Sequence, residues 1–220
     1  MATAAQMASL TEVLRKHSSA LDKPVTEIAI FKLKEMHTDA TTAEFEKNII
    51  ANTFKGTGIK RMAWGYSLSD PKTLVWMLDW VKIQDHWDFW QTPEFGPVIS
   101  TITNLFIEGR PLVRHYDFRP PGMLDQEFLH IRVWDEGESN KTDEEIRATL
   151  AATDNDFGGY KAEKGAYAVD MGEMNWYCTL TGYEDEDMAR AAKLTPRGET
   201  HLLQLKYYND LNNGQWQETN

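Results

Sequence analysis

Two similar successions of elements, divided by the proline-rich stretch RPPGMLDQ (119–126), constrain this chain more than any other feature. In the first, VTEIAIFKLK (25–34) alternates and is β-branched, which predicts a strand. TTAEFEKNIIANTF (41–54) carries Phe45, Ile49 and Ile50 at helical spacing behind a threonine cap. IKRMAWGYSL (59–68) and KTLVWMLDWV (72–81) read as strands joined by a Ser69-Asp70-Pro71 turn. A short helix over 83–91 is broken by Pro93, a second helix covers 95–109, and PLVRHYDF (111–118) closes as a strand. The pattern then restarts. EFLHIRVW (127–134) is a strand and KTDEEIRATLAATD (141–154) a helix. YKAEKGAYAVD (160–170) and EMNWYCTLTGY (173–183) make a hairpin about Met171-Gly172. EDEDMARAAKL (184–194) is a helix, and THLLQLKYYND (200–210) a last strand. An offset of about 101 residues lays Thr41 on Thr142, Phe45 on Ile146, Ile49 on Leu150, Tyr66 on Tyr167 and Trp76 on Tyr177.

The order β-α-β-β-α-β gives a four-stranded antiparallel sheet with helices on one face, and the bare face must be covered. A chain carrying two such units covers each sheet with the other. The expected fold class is therefore α+β, with two ferredoxin-like βαββαβ repeats fused into an α+β barrel of the dimeric type. The expected organisation is a helical extension over 1–24 (an amphipathic helix at 9–21), a first domain over 25–118, a linker over 119–126, a second domain over 127–210, and a loose tail over 211–220.

The net charge of −11 and the absence of a Lys/Arg-rich stretch argue against nucleic acid and anionic membrane surfaces as partners. No apolar run is long enough to span a bilayer, and the N-terminus lacks a secretion-signal pattern. A single cysteine, Cys178, rules out an internal disulfide and fits a reducing, cytoplasmic location.

Tryptophan is the compositional oddity: six of the eight fall between Trp64 and Trp134. If Trp64 pairs with Trp76 across the 59–81 hairpin, then Met62, Trp64, Tyr66 and Leu68 share a face with Leu74, Trp76, Leu78 and Trp80. That apolar face belongs beneath the helices, roofed by Trp87 or Trp90. It is expected to enclose a hydrophobic small-molecule pocket in the N-terminal half, with Trp64, Trp76, Trp80, Trp90, Phe95, Ile99 and Phe106 as substrate-binding residues. His86 and His115 are the candidate acid/base residues, since imidazole titrates near neutrality, and Tyr66 is a candidate proton donor. Asp79 points to the opposite face, where Arg61 shares its parity as a partner, and Glu27 reads as a similar structural carboxylate. No histidine pair has metal-helix spacing, no glycine-rich phosphate loop follows a strand, and no Gly-x-Ser-x-Gly elbow occurs. Neither a metal nor another cofactor is expected.

The stretch LVWMLDWVKIQDHWDFWQTPEFGPVISTITNLFIEGRPLVRHYDF resembles the C-terminal part of an antibiotic biosynthesis monooxygenase domain. The shared features are a strand ending in Trp80, a helix with His86 early in it, the Thr92-to-Phe95 step, an apolar helix, and a final strand carrying His115. The resemblance covers about 25–118; the second half shares only the element order. Haem-degrading members use a tryptophan and a histidine where Phe89 and Ile99 stand here, and polyketide-cyclising members a tyrosine and a histidine where Phe89 and Phe95 stand. Cofactor-free oxygenases of the family use Asn, Trp and Tyr; the first-half hairpin strands offer the last two but no Asn. The resemblance implies a cofactor-independent tailoring enzyme acting on a hydrophobic polyketide- or terpenoid-like secondary metabolite, by monooxygenation or by cyclisation/isomerisation. The alternative is a non-catalytic carrier of a hydrophobic metabolite. The fused chain is an internal pseudo-dimer on this reading, and whether it pairs again into a homodimer stays open.

Overall fold

The first repeat forms as its residue pattern demands. In the computed structural model, which describes residues 4–108, 111–138, 141–154, 159–210 and 216–219, helix α1 (Ala4–His17) precedes it. This helix begins earlier than 9–21 because Ala4, Ala5 and Ala8 are strong helix formers, and it stops short of Leu21. Strand β1 (Val25–Lys32) follows, then α2 (Asp39–Phe45), opened by a capping box in which the Thr38 side chain accepts from Thr41 N and the Thr41 side chain accepts from Thr38 N. A π-helical stretch (Glu46–Ile50) carries α2 into a last turn, α3 (Ala51–Thr53). Strands β2 (Ile59–Tyr66) and β3 (Thr73–Trp80), helices α4 (Ile83–Phe89) and α5 (Phe95–Leu105), and strand β4 (Leu112–Tyr116) complete the repeat.

The second repeat runs β5 (Phe128–Asp135), α6 (Asp143–Thr153), β6 (Tyr160–Tyr167), β7 (Trp176–Tyr183), α7 (Glu186–Ala191) and β8 (Glu199–Gln204). Its sheet order, β6-β7-β5-β8, matches the order β2-β3-β1-β4 of the first. All strand pairs in both sheets are antiparallel, and the fold is α+β, built from two ferredoxin-like halves.

Strand alternation sorts each residue to a core. In β1, Val25, Ala29 and Phe31 face the helices and join Trp64, Trp76, Trp80, Phe45, Ile49, Trp87 and Val98. Ile28 and Ile30 face the other sheet and pack with Val75, Met77, Leu129, Ile131, Leu180 and Leu203. The hairpin register sets Trp64 opposite Trp76.

Two expectations need correction. The stretch 200–210 is not one strand. β8 ends at Gln204 in the second sheet, and β9 (Lys206–Asp210) pairs with β2 in the first. The crossing is possible because Gly65 offers no Cβ; one built there would stand 2.2 Å from the Gln204 carbonyl oxygen. The tail is not loose throughout: β10 (Trp216–Thr219) pairs with β9, which otherwise has a bare edge, while residues 211–215 and 220 lie outside the described set. The 119–126 linker is partly buried. Met123 and Leu124 are buried, and Met123 N donates to the Asp79 carboxylate at 2.9 Å. Arg61, the partner expected from parity, lies 3.4 Å from that carboxylate and donates to Met123 O.

Candidate active site

Register brings the polar residues together. Glu27 sits in the middle of the first sheet, opposite Leu78 on one side and His115 on the other, all facing the helices. His86, on the first turns of α4, descends onto the pair, and its ring stacks on Trp80 with centroids 5.0 Å apart. The groups form a continuous hydrogen-bonded chain. Trp90 Nε1 donates to His86 Nε2 at 2.7 Å, His86 Nδ1 and His115 Nε2 are 2.8 Å apart, and His115 Nδ1 meets Asp170 Oδ1 at 2.8 Å. Trp80 Nε1 donates to Glu27 Oε2 at 2.9 Å, and that oxygen lies 3.4 Å from His86 Nδ1 and 3.9 Å from His115 Nε2.

An indole only donates, and this assigns the tautomers. His86 Nε2 accepts from Trp90, so its hydrogen is on Nδ1 and points at His115 Nε2. His115 therefore donates from Nδ1 to the Asp170 carboxylate. Burial pushes His86 well below the ordinary imidazole range, and neighbouring His115 pushes it further. Burial alone would lower His115 too, but the charge and hydrogen bond of Asp170, with Glu27 behind them, outweigh it and raise this imidazole. Asp170 is opposed by its own burial, yet His115 and Arg114 hold it below the usual carboxylate range. Burial raises Glu27, against the pull of His115 and the Trp80 N–H.

These groups form one end of a cavity of about 530 Å³, a size suited to a small organic ligand. The rest of its wall is apolar and aromatic. Trp76, Trp80, Trp90, Phe95 and Ile99 line it, with His86 and His115 at the polar end. Trp87 and Phe89 line it as well. Ala29 widens the space: it stands opposite Trp76 and Val113 on the neighbouring strands, and a larger side chain there would narrow the chamber.

Three of the residues expected from sequence are elsewhere. Trp64 packs on Phe45 and donates to the Tyr208 hydroxyl at 3.4 Å, a partner supplied by β9 on the outer edge of β2. The Tyr66 hydroxyl lies 3.0 Å from Thr42 Oγ1, and its ring stacks on His37; with Trp64 it borders a separate groove beside β9. Phe106 leaves α5 in extended backbone and stacks on Phe31 behind the chamber wall, next to a smaller pocket.

Two residues of the site were not among those expected. Glu27 carried a signal, since it is the one charged side chain at the helix-facing positions 25, 27, 29 and 31 of β1. Asp170 carried none. It comes from the β6–β7 turn of the second half, which is clamped to β4 by Val169 N donating to His115 O at 2.9 Å and His115 N donating to Asp170 Oδ2 at 2.6 Å. Val169, Asp170 and Met171 all line the cavity, so the pocket expected within the N-terminal half is shared between the halves. Glu27, His86 and His115 also bring three ligand-type atoms within 4.8 Å of one another, which makes them the place among the described residues where a metal ion has three donors.

No protein-family model matches the chain, and no curated protein matches it in sequence. Solved structures do. A candidate monooxygenase from Fusobacterium nucleatum subsp. nucleatum is 16% identical, with 87% of this chain and 96% of that chain covered and a TM-score of 0.58. An anthrone oxidase-like protein is 12% identical over 86% of this chain and 93% of that chain, with a TM-score of 0.59. A candidate monooxygenase from Lactobacillus acidophilus is 10% identical over 83% and 93% of the two chains, with a TM-score of 0.53. Among the described residues no helix is long and apolar enough to cross a membrane. Coverage of both repeats in each comparison shows that the whole two-sheet α+β arrangement, and not one half of it, is the architecture these proteins have in common.

Proposed function

We propose that this protein is a tailoring enzyme that binds a flat, hydrophobic small molecule in the chamber and activates it by drawing a proton toward the Glu27–His86–His115 end. The observation that carries the reading is the hydrogen-bonded run from Trp90 through His86 and His115 to Asp170, set into the wall of an otherwise apolar cavity. Burying Glu27, His86 and His115, with Asp170 partly buried behind them, beside a hydrophobic ligand site opposes folding. A carrier needs only the apolar wall, so this cluster favours an enzyme over the carrier reading.

Aromatic side chains hold the substrate and exclude water, which fixes its acidic C–H or O–H against the polar end. Glu27 takes that proton and becomes a neutral carboxyl, which leaves an electron-rich carbanion or phenolate in the chamber. In the monooxygenase version, which the names of the structural neighbours support, molecular oxygen is the second substrate. For an anthrone-like ketone the balance is one oxygen molecule consumed, one oxygen atom gained as a carbonyl, and one water released. Cyclisation or isomerisation would use the same proton removal without oxygen.

Anthrone in aerated buffer is a direct probe. The wild-type chain is expected to speed oxygen uptake and anthraquinone formation over buffer, while Glu27→Gln and His86→Asn lose the acceleration but still show tryptophan quenching by the ligand. Quenching with no acceleration by the wild type, for anthrone and for related tricyclic C–H acids, would leave the carrier reading in its place.

A further inference from the structure

Glu27 Oε2, His86 Nδ1 and His115 Nε2 stand at the corners of a triangle with sides of 2.8, 3.4 and 3.9 Å. The point equidistant from the three corners lies about 2.0 Å from each, which is the length of a bond from a divalent transition metal to imidazole nitrogen or carboxylate oxygen. We propose that this triangle binds a divalent transition-metal ion, which takes the place of the proton that His86 and His115 otherwise share.

The donor set fixes the class of ion. Two imidazoles and one carboxylate suit iron(II), zinc, cobalt(II) or manganese(II), whereas magnesium and calcium prefer all-oxygen surroundings. Each of two ligands already has the outer partner such sites use. Asp170 accepts from His115 Nδ1 and so leaves Nε2 as the ligating atom, and the Trp80 N–H orients Glu27. Among the described residues no lysine or arginine lines the chamber to compete with the ion, and the three ligands all face the cavity, where substrate would reach the open positions.

Loading has one structural consequence. The ion takes His86 Nδ1, so the imidazole hydrogen moves to Nε2, where the Trp90 N–H now points from 2.7 Å. Two donors cannot face each other at that distance, so the Trp90 ring must turn away. Trp90 thus opposes the ion, and its removal should favour binding.

The inference does not rest on the proposed activity and is tested without substrate. The full chain, stripped with a chelator, is titrated with cobalt(II) chloride and followed by visible absorption and tryptophan fluorescence; zinc affinity is then measured by competition. One equivalent of cobalt is expected, with visible bands of a nitrogen- and oxygen-bound ion and a fluorescence change from Trp90. Glu27→Gln, His86→Asn and His115→Asn should each weaken zinc by more than about tenfold, Asp170→Asn by about tenfold, and Trp90→Phe should tighten it. Asp170→Asn and Trp90→Phe keep all three ligands, so they report even where a ligand variant fails to fold. The proposal is overturned by the lack of saturable one-equivalent binding below about 100 μM, by affinity that ignores Glu27 and His115, or by weaker binding in Trp90→Phe.

Discussion

Asp79 and Glu27 are both carboxylates buried in the first sheet, on opposite faces, and their surroundings give them different work. Asp79 accepts from Thr26 Oγ1 at 2.7 Å and from Met123 N, beside the Arg61 guanidinium. Burial raises its pKa and Arg61 pulls it back. Every neighbour is a structural donor, so Asp79→Ala should strip Arg61 of its buried partner and cost about 3–5 kcal/mol in urea unfolding. A loss under about 1 kcal/mol would show that the linker, not the carboxylate, organises this region. Glu27 has histidines for neighbours instead, and that difference was not in its own strand. Parity told which way Asp79 points and named Arg61, because both lie in one hairpin. Parity could not tell that His86 and His115, from two other elements, would converge on Glu27. Asp70 offers a third residue-level test. Hydrogen bonds from Thr73 and Lys32 hold its carboxyl at about 2. Its folded pKa is depressed, so its stabilising effect is present above the ordinary carboxylate pKa and fades as pH falls toward 2. Asp70→Asn should flatten that part of the acid-unfolding curve, by a small amount because the group is largely solvated.

Elements decide which of the two similar sheets has room for a ligand. Ala29 of β1 stands opposite Trp76, and the equivalent pair in the second half is Arg132 opposite Thr179, where the buried Arg132 side chain donates to Thr179 Oγ1 at 3.1 Å and to Asp154 at 2.7 Å. Ala29, where the second half has the long Arg132, thus leaves room under α4 and α5. Ala29→Trp should take up part of that room, weaken ligand-induced quenching, and leave the fold unchanged by circular dichroism; undiminished ligand binding would place the ligand elsewhere. At this scale the sequence was legible wherever an element's pattern was local. The Trp64–Trp76 register and the order of strands and helices follow from alternation and spacing within each element. The β8–β9 crossing does not. HLLQLKYY alternates without a break, and Leu203, Leu205 and Tyr207 face the same core, so nothing in the pattern marks where the strand leaves one sheet for the other. Trp64 and Tyr66 were misplaced for that reason, since the strand that claims the edge of β2 arrives from more than a hundred residues away.

For the whole molecule, the crossing and the shared core make the halves mutually dependent. Ile28, Ile30, Val75 and Met77 are buried only because the second sheet lies over them. Exposing four such side chains costs on the order of 6–12 kcal/mol, at about 1.5–3 kcal/mol each. That is comparable with the entire stability of a domain this size, about 5–15 kcal/mol. Separation would also strip β9 from β2, open the Ser67–Leu203 and Tyr116–Ala168 bridges that join the two sheets, and take Asp170 from His115. A chain of residues 1–118 expressed alone is therefore expected to aggregate or to lack cooperative unfolding, and so is 119–220. Co-expressed, the two should purify as one particle of the intact protein's size, with the ligand-quenching signal restored because Val169, Asp170 and Met171 again complete the chamber wall. Cooperative, monomeric folding of 1–118 on its own would mean that the face between the sheets tolerates water, and the site would then have to be argued from the first half without its second-half carboxylate.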